Sequence, residues 1–362
     1  MISGSGAAPG RRFLLRSRLL VALDATYSTG DKLSGVGVYS RQILFGLASR
    51  EPEARFLWYY RPHRFLRSYH DRLPRNCRRR LLFDNRPGIA QATFHGLNQR
   101  LPASRWKRRI ATFHDLFVLT GDYSTPAFRA RFAALAREAA ARADLVIAVS
   151  EFTASQVEAL LNVERSRLRV VPHGVALPPV RRERDARDKR ILHVGALQRR
   201  KNLIRLVEAF ETLDPEWILT LVGSDGFGAG EIRERIRRSP ARGRIELTGY
   251  VPDSRLGELY DRAAVFAFPS LDEGFGMPVL EAMARGVPVL TSNRSALPEA
   301  AGDAALLVDP FRTDEIREGL RRLIAEPELR DSLAERGRRR AALFPWEAAV
   351  SATWSAYREG NG

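Results

Sequence analysis

Short apolar runs alternate with longer amphipathic segments along the whole chain. The runs are rich in Val, Ile and Leu and lie at residues 19–23, 110–113, 145–149, 168–171, 191–194, 217–222, 245–247, 265–268 and 287–290. The intervening segments carry apolar residues at helical spacing, among them residues 127–143, 203–211 and 253–264. Near-continuous apolar strands separated by helices are typical of parallel sheets covered on both faces. The pattern therefore predicts an α/β fold built from repeated strand–helix units.

The composition changes once, sharply, between residues 175 and 190. Apolar residues and proline up to residue 180 give way to a dense run of charge over residues 181–190, which is typical of an interdomain linker. A length of 362 residues also favours two domains. We predict one doubly wound domain over residues 1–180, a second over 181–345, and a last helix over 346–362. Because such domains bind ligands at the carboxyl ends of their strands, two facing domains would enclose a cleft.

The net charge of +17 is unevenly placed. Residues 1–180 hold 29 Lys and Arg against 13 Asp and Glu, a balance of +16. Such a half suits an anionic partner, and an acidic membrane surface is favoured over nucleic acid because no nucleic-acid-binding motif accompanies the charge. The aromatic and basic stretch at residues 56–69 is the expected contact. Codon bias remains an alternative, because only four of the 59 basic residues are lysines.

Three features bear on the compartment. No apolar run reaches the roughly 18 residues that span a bilayer. An arginine pair near the N-terminus resembles a twin-arginine export signal, but Arg16, Arg18 and Asp24 interrupt the apolar stretch behind it. A single cysteine, Cys77, excludes a disulfide framework and a cysteine zinc site. These features predict a cytoplasmic protein, with peripheral attachment to the inner membrane face as an option.

The most informative segment is residues 269–290. It follows a predicted strand, contains a glycine-bearing turn from Glu273 to Gly276, and continues into a helix near Pro278, since the first helical turn does not need the missing N–H of proline. A helix N-terminus presents free backbone N–H groups and a positive dipole end, which suit an anion. Glu273, before the helix, and Glu281, within it, would approach the same ligand.

The spacing of these glutamates and the intervening Gly-Phe-Gly-Met-Pro resemble the Glu-x7-Glu signature of retaining glycosyltransferases of the group 1, or family 4, type. Other segments are similar to a subset rich in mannosyltransferases. The resemblance covers nearly the whole chain except residues 1–17 and 50–85. It implies the GT-B fold, in which two Rossmann-like domains face a central cleft. The N-terminal domain would be the acceptor side, the C-terminal domain would bind the nucleotide sugar, and the last helix would cross back to the N-terminal domain.

Residues 194–203 resemble the first strand and loop of the family's C-terminal domain, where Gly195 precedes a basic pair that binds the donor diphosphate. Arg200 and Lys201 match that pair. Lys201 stands out because this chain otherwise uses arginine, and a compact ammonium is a good point-charge partner for phosphate. Ala196 departs from the family, which often has arginine directly after the glycine, so the basic clamp is slightly reduced.

The resemblance also assigns the remaining donor contacts. Glu281 would bind the ribose hydroxyls and Glu273 the donor sugar, while amides near Gly276 and Met277 would hold its other hydroxyls. The other expected donor-side residues are Gly35, Gly37, Tyr250, Val251, Gly274 and Phe275.

Six histidines need separate interpretations. Residues 112–116 match the family's His-Asp segment, which places His114 at the reacting centre, where it would position the sugar or the acceptor. Residues 94–98 resemble an acceptor-side strand end, so His95 and Asn98 are acceptor-side candidates. A solitary histidine is more often structural. That interpretation is kept for His63, His70, His193 and His173, the last standing where the family usually has asparagine before the interdomain glycine.

The sequence thus predicts a retaining hexosyltransferase, with GDP-mannose as the leading donor and a glycan or glycolipid as acceptor, in cell-surface polysaccharide synthesis. No Asp-x-Asp triplet occurs, so neither a metal nor a cofactor is expected beyond the nucleotide-sugar co-substrate. The catalytic candidates are Arg200, Lys201, Glu273 and His114, with the basic pair and the helix start meeting the charge of the leaving diphosphate. The alternatives are a GT-B sugar-nucleotide epimerase, which should lack Glu-x7-Glu, and a non-catalytic nucleotide-sugar-binding protein.

Overall fold

A computed structural model describes residues 19–84, 86–178 and 187–359. These residues form two wholly parallel sheets, and two apolar clusters flank each sheet, one on either face. The predicted pair of doubly wound α/β domains is confirmed.

The N-terminal sheet is built from the first seven strands. They are β1 (Leu20–Asp24), β2 (Arg55–Tyr60), β3 (Cys77–Leu81), β4 (Thr93–Gly96), β5 (Arg108–Phe113), β6 (Leu145–Ala148) and β7 (Leu168–Val170). The helices of this part are α1 (Gly35–Arg50), α2 (Pro62–Phe65), α3 (Phe117–Thr120), α4 (Pro126–Arg142) and α5 (Glu151–Leu161). The strand order is β3-β2-β1-β4-β5-β6-β7.

The C-terminal sheet follows the same plan. Its strands are β8 (Asp188–Val194), β9 (Ile218–Val222), β10 (Ile245–Gly249), β11 (Ala263–Phe268), β12 (Val289–Ser292) and β13 (Ala305–Val308). Its helices are α6 (Leu203–Phe210), α7 (Ala229–Arg238), α8 (Asp253–Arg262), α9 (Met277–Ala284), α10 (Leu297–Ala301), α11 (Thr313–Ala325) and α12 (Pro327–Ala341). The strand order is β10-β9-β8-β11-β12-β13. The chain adds strands toward one edge up to β10 and then toward the other edge from β11, and parallel sheets open a ligand-binding crevice at such a switch point, here between β8 and β11.

The last helix, α13 (Trp346–Arg358), packs on the N-terminal domain. Gly46 of α1 has no room for a Cβ because Val350 touches it. Ala349, Val350 and Tyr357 are buried in the N-terminal core. Near the start of α13 the Val175 N–H donates to the Phe344 carbonyl oxygen at 2.8 Å, so the two chain crossings between the domains run side by side.

Every apolar run predicted as a strand overlaps an observed strand. Two other expectations need correction. Residues 56–60 are not an exposed membrane contact, because Phe56, Trp58 and Tyr60 of β2 are at most 1% exposed. The linker ends earlier than residue 190, because β8 already begins at Asp188; residues 179–186 and the N-terminal arginine pair lie outside the described residues. Within the described ranges, no helix is long and apolar enough to cross a membrane.

Candidate active site

Glu273 lies in the cleft between the two domains and is held by two cations. Its Oε1 accepts a hydrogen bond from Lys201 Nζ at 2.6 Å, and its Oε2 lies 2.7 Å from Arg200 Nη1. Lys201 and Glu273 are only 6% and 7% exposed. The three side chains come from loops that follow β8 and β11, which are neighbours in the sheet. The structure thus brings the predicted Arg200, Lys201 and Glu273 together.

Burial and charge shift the pKa values of this cluster. Burial alone would raise the pKa of Glu273, but the charges of Arg200 and Lys201 outweigh it and lower that pKa to about 2. Burial, together with the neighbouring Arg200, lowers the pKa of Lys201 to about 8. Glu273 is therefore fully ionised at neutral pH, and Lys201 would lose its charge in mildly alkaline solution.

Residues 199–202, which we call the basic loop, are hydrogen-bonded to the segment that carries Glu273. Arg200 belongs to a single 3-10 turn that ends at Asn202, which adopts a left-handed conformation with a φ of 59°. The Asn202 amide donates to the carbonyl oxygens of Pro269 and Pro310 at 3.0 and 2.6 Å. The Leu271 N–H in turn donates to the Arg200 carbonyl oxygen at 2.8 Å. These bonds fix where the two cations point.

Gly274, directly after Glu273, lets the two domains come into close contact. A Cβ on Gly274 would overlap the His114 carbonyl oxygen of the opposite domain. The Gly274 carbonyl oxygen accepts hydrogen bonds from Ser150 Oγ at 2.7 Å and Thr153 Oγ1 at 2.9 Å. Gly276, with a φ of 107°, then begins α9. The start of α9 is therefore held against the N-terminal domain.

The remaining donor-side candidates surround the start of α9. Gly35 begins α1 directly opposite, where an added Cβ would lie 2.8 Å from Met277 Cε. Glu281 Oε2 accepts a hydrogen bond from the Tyr260 hydroxyl at 2.9 Å, and burial raises the pKa of Glu281. The others lie in or near this region: Gly37 in the first turn of α1, Gly195 beside Lys201, Phe275 buried before α9, and Val251 partly buried near α8.

Tyr250 reaches across the cleft. Its hydroxyl donates to the Asp31 carbonyl oxygen at 3.1 Å, and Lys32 Nζ lies 5.1 Å from its ring centroid. Beside it is a cavity of about 470 Å³ whose lining residues include Asp71 and Asp253. This cavity opens between the loop after β1 and the start of α8.

His114 and His173 stack where the domains meet, with ring centroids 5.2 Å apart and planes 14° from parallel. A carbonyl oxygen only accepts, so His114 Nε2 donates to the Leu97 oxygen at 2.9 Å. His114 Nδ1 is then free of hydrogen and accepts from His173 Nε2 at 3.3 Å. Burial lowers the pKa of His114 to about 4, so the ring is neutral. His173, interpreted from the sequence as structural, is a partner of this ring, and its departure from the family's asparagine was the signal that could have pointed to it.

His95 lies behind the cleft, which corrects its acceptor-side assignment. The side chain is 0% exposed. Its Nδ1 is 2.6 Å from the Tyr357 hydroxyl and its Nε2 is 2.8 Å from Thr112 Oγ1. Because both ring nitrogens are hydrogen-bonded and the side chain has no exposed surface, His95 links α13 to the N-terminal sheet and is not accessible to an acceptor. Asn98 is partly exposed and accepts from the Gln99 N–H, and its acceptor role stays a prediction.

Two further carboxylates face the cluster, and sequence reasoning missed both. Asp115 follows His114, and burial raises its pKa to about 6. Asp272 precedes Glu273, and its Oδ2 accepts from Thr120 Oγ1 of the other domain at 2.7 Å. Asp115 lay within the matched His-Asp segment, but only the closed arrangement shows that these residues meet. Among the described residues, no group of three His, Cys, Asp or Glu is placed to hold a metal ion.

Comparisons with known proteins match both domains of the chain to glycosyltransferases. The family described as "Glycosyl transferases group 1" matches residues 180–340, and "Glycosyltransferase Family 4" matches residues 35–177. O-antigen chain mannosyltransferase B of Escherichia coli is 34% identical over 281 residues, covering 73% of this chain and 74% of that relative. The MMP alpha-(1->4)-mannosyltransferase of Mycolicibacterium hassiacum is 37% identical over 119 residues, covering 32% of this chain and 29% of that relative.

The fold has solved counterparts. A sucrose-phosphate synthase structure from Thermosynechococcus elongatus superposes with a TM-score of 0.75 at 23% identity, covering 94% of this chain and 99% of that one. Since that identity is low, the likeness concerns the fold, which is GT-B as the sequence predicts.

Proposed function

This chain belongs to the group 1 glycosyltransferases, and from that premise we propose that it is a retaining, metal-independent mannosyltransferase. The donor is GDP-mannose and the acceptor is a glycan or glycolipid, in the synthesis of a cell-surface polysaccharide. The observation that carries the proposal is the paired contact of Arg200 and Lys201 with Glu273, in the turn before α9.

The basic pair supplies what the leaving group needs. When the bond between the anomeric carbon and the donor diphosphate breaks, negative charge grows on the diphosphate. Arg200 and Lys201 supply two positive charges for it beside Glu273, and the start of α9 adds backbone N–H groups. Because these groups are already in place, they stabilise the developing charge without reorganising. We therefore expect no requirement for a divalent metal.

The cavity beside Tyr250 favours guanine over uracil as the donor base. Guanine offers two adjacent N–H donors on one edge, whereas uracil offers one, and carboxylates accept such donors well. Asp253 lines this cavity, while Asp71 is already paired with Arg41 at 2.8 Å. The mannosyltransferase names of the two relatives support mannose as the sugar.

The ionised and doubly paired Glu273 carboxylate supports retention of configuration without a covalent intermediate on this side chain. A carboxylate whose pKa is about 2 and whose two oxygens contact cations is a weak nucleophile. This favours attack by the acceptor hydroxyl on the face that the diphosphate leaves, with the diphosphate taking the acceptor proton. The neutral His114, fixed by Leu97 and His173, would position the sugar.

We place the protein at the cytoplasmic face of an anionic membrane, where a glycolipid acceptor is found. In the segment formed by α2 and the following turn, Leu66 is 80% exposed and Tyr69 is 61% exposed. Arg64 and Arg67 lie in the same segment, and the neighbouring β3 carries three consecutive arginines. Exposed apolar side chains among arginines suit an acidic lipid surface.

A donor panel tests the proposed function. GDP, UDP and ADP should be compared by thermal shift, and their mannose and glucose forms by transfer and by hydrolysis, with and without excess EDTA. We expect GDP to stabilise the fold most, GDP-mannose to be consumed in EDTA, and an α-linked product by NMR. Loss of activity on chelation, restored by Mg²⁺ or Mn²⁺, contradicts metal independence. Conversion of the free sugar nucleotide without transfer indicates an epimerase, and nucleotide binding without turnover a non-catalytic protein.

A further inference from the structure

A group of polar residues from both domains lies beyond Arg200, on the side of the N-terminal domain. We call it the acceptor lobe and define it by Asp115, Thr120, Tyr123 and Asp272. Arg200 marks its inner boundary, since its guanidinium lies 4.6 Å from the Phe117 ring centroid, whereas Lys201 lies over Phe268 of β11. Asp272 comes from the C-terminal domain and the other three from the N-terminal domain, so the lobe exists only when the domains are closed.

The lobe holds acceptor atoms without donors. Asp272 is 7% exposed, and its Oδ1 is buried with no hydrogen-bond partner, although its Oδ2 is bonded to Thr120. The Asp115 carboxylate is partly exposed, and in the described part of the chain no hydrogen bond or ion pair ends on it. Buried polar groups are normally satisfied. The unpaired Asp272 oxygen therefore indicates that a ligand with O–H or N–H groups completes the lobe, and the Asp115 carboxylate is available to the same ligand.

The charge of the lobe limits which ligand this is. Arg200 and Lys201 already contact Glu273, so among the described residues neither the Asp115 nor the Asp272 carboxylate is in ion-pair contact with a cation. A bound donor diphosphate adds further negative charge nearby. A second anion would be repelled in this partly buried place, whereas hydroxyl groups can donate to carboxylates without adding charge.

Aromatic rings border the same space. Phe117 and Tyr123 are partly exposed, with ring centroids 6.3 Å apart. The C–H face of a pyranose packs on an aromatic face while its hydroxyls point to polar groups at the side. Carboxylates beside aromatic rings therefore suit a sugar ring better than an inorganic or phosphorylated ligand.

We propose that the acceptor lobe binds an uncharged saccharide, with Asp115 and Asp272 accepting hydrogen bonds from its hydroxyls. Resting on the proposed function, this assigns the acceptor of the same reaction to a chemical class. Asp115 then separates two acceptor classes: neutral sugars are taken and sugars bearing phosphate or carboxylate are refused.

The test uses the full chain with GDP-mannose and four acceptors: methyl α-mannoside, α-linked mannobiose, inositol 1-phosphate and a methyl glucuronide. We expect transfer to the neutral pair only. Asp115→Asn and Asp272→Asn should raise the acceptor KM on the order of 10- to 100-fold, the effect of losing a hydrogen bond to a charged group. The rate of donor hydrolysis should stay close to that of the wild type, and GDP should raise the melting temperature by the same amount.

Acidification gives a second readout. Groups facing Asp115 are Arg200 and Lys201 from the basic loop, Asp272 and Glu273 from the loop after β11, and His114 beside it in sequence. Of these, Glu273 stays ionised because its pKa is about 2, whereas the pKa of Asp115 is about 6. The acceptor KM of the wild type should therefore rise below about pH 6, and this rise should be smaller in Asp115→Asn.

Two variants keep the test decisive. Asp122→Asn is the matched control, because this aspartate lies in the same segment but is 84% exposed and paired with Arg129; it should behave as wild type. Tyr123→Phe removes one hydroxyl of the lobe if an aspartate variant fails to fold, and it too should raise the acceptor KM. A preference for the anionic acceptors, no transfer to neutral ones while the donor is still hydrolysed, or a rise in donor KM instead would overturn the proposal. Absence of both GDP binding and donor hydrolysis would instead refute the proposed function.

Discussion

Lys201 Nζ lies 2.6 Å from Glu273 Oε1, and both side chains are more than nine-tenths buried. Removing one member of such a pair leaves the other as an uncompensated buried charge, which is strongly destabilising. Substitutions in this pair therefore change both the charge offered to the donor and the stability of the cluster. Kinetic constants need to be read together with a measurement of folding.

Lys201→Ala should lower both donor affinity and turnover. Lys201 faces negative charge that is present on the bound donor and grows as the bond breaks, and losing one preorganised stabilising group lowers kcat by roughly 10²–10³-fold. Steady-state kinetics with GDP-mannose, after circular dichroism confirms folding, measures this. Lys189→Ala is the matched control, because Lys189 is a surface lysine paired with Glu216 and should leave both constants unchanged. Wild-type constants in Lys201→Ala contradict the assignment.

Glu281→Gln and Glu273→Gln should differ in which constant they change. Glu281 would bind ribose equally before and during reaction, so its loss should raise the donor KM far more than it lowers kcat. Glu273 holds Arg200 and Lys201 in place and would touch the sugar whose charge changes, so Glu273→Gln should lower kcat more. Measuring both variants side by side decides the matter. A Glu281→Gln enzyme without turnover but with normal KM would show that the roles are wrongly assigned.

Donor binding should weaken in alkaline solution. Since the pKa of Lys201 is lowered to about 8 by burial and by Arg200, its positive charge is present below that pH and is lost above it. The donor KM should therefore rise as pH passes about 8. Lys201→Arg is the informative comparison, because a guanidinium stays charged throughout this range. If Lys201→Arg shows the same alkaline rise, another group is responsible.

Gly274→Ala should prevent full closure of the cleft. Its Cβ would collide with the His114 carbonyl oxygen, a backbone atom that cannot turn away. We expect each domain to remain folded but kcat to fall at least tenfold, with a larger radius of gyration by small-angle scattering. Gly230→Ala, in α7, is the control, since a Cβ there meets nothing within 4 Å. A compact Gly274→Ala enzyme with normal kcat is incompatible with this role.

Membrane binding should depend on the segment formed by α2 and its following turn. Sedimentation with liposomes should show binding that rises with acidic lipid and falls with salt. Leu66→Glu should weaken it several-fold, because this 80% exposed leucine would lose its apolar contact with lipid. Leu343→Glu changes a similarly exposed leucine elsewhere and serves as control. Equal binding to neutral vesicles, or an unaffected Leu66→Glu, argues against the location.

The sequence predicted what depends on local order. The strand, glycine turn and helix around Glu273 are encoded within residues 263–290. Lys201 lies close to Glu273 because the two loops that carry them follow neighbouring strands, β8 and β11. By contrast, β2 was missed because its aromatic and basic residues resemble a surface segment, although alternate members such as Phe56 and Trp58 face the core.

Contacts distant in sequence set the rest of the site. His95 looked like an acceptor contact because nothing near it shows that Tyr357, 262 residues later, covers its ring. Thr120 and Asp272 likewise meet only because the domains close. A sequence pattern places a residue at the end of a strand, but the opposing domain decides whether that residue faces ligand, protein or solvent.

The position of α13 makes the order of synthesis differ from the order of structural completion. Ala349, Val350 and Tyr357 fill the core beside α1, so the N-terminal domain lacks part of its interior until residues 346–358 have been made. Domains made first usually fold first on the ribosome. Here the domain that starts first is completed last, after the C-terminal sheet between its two pieces has been synthesised. A chain interrupted near residue 340 would therefore have a complete second sheet beside an unfinished first one.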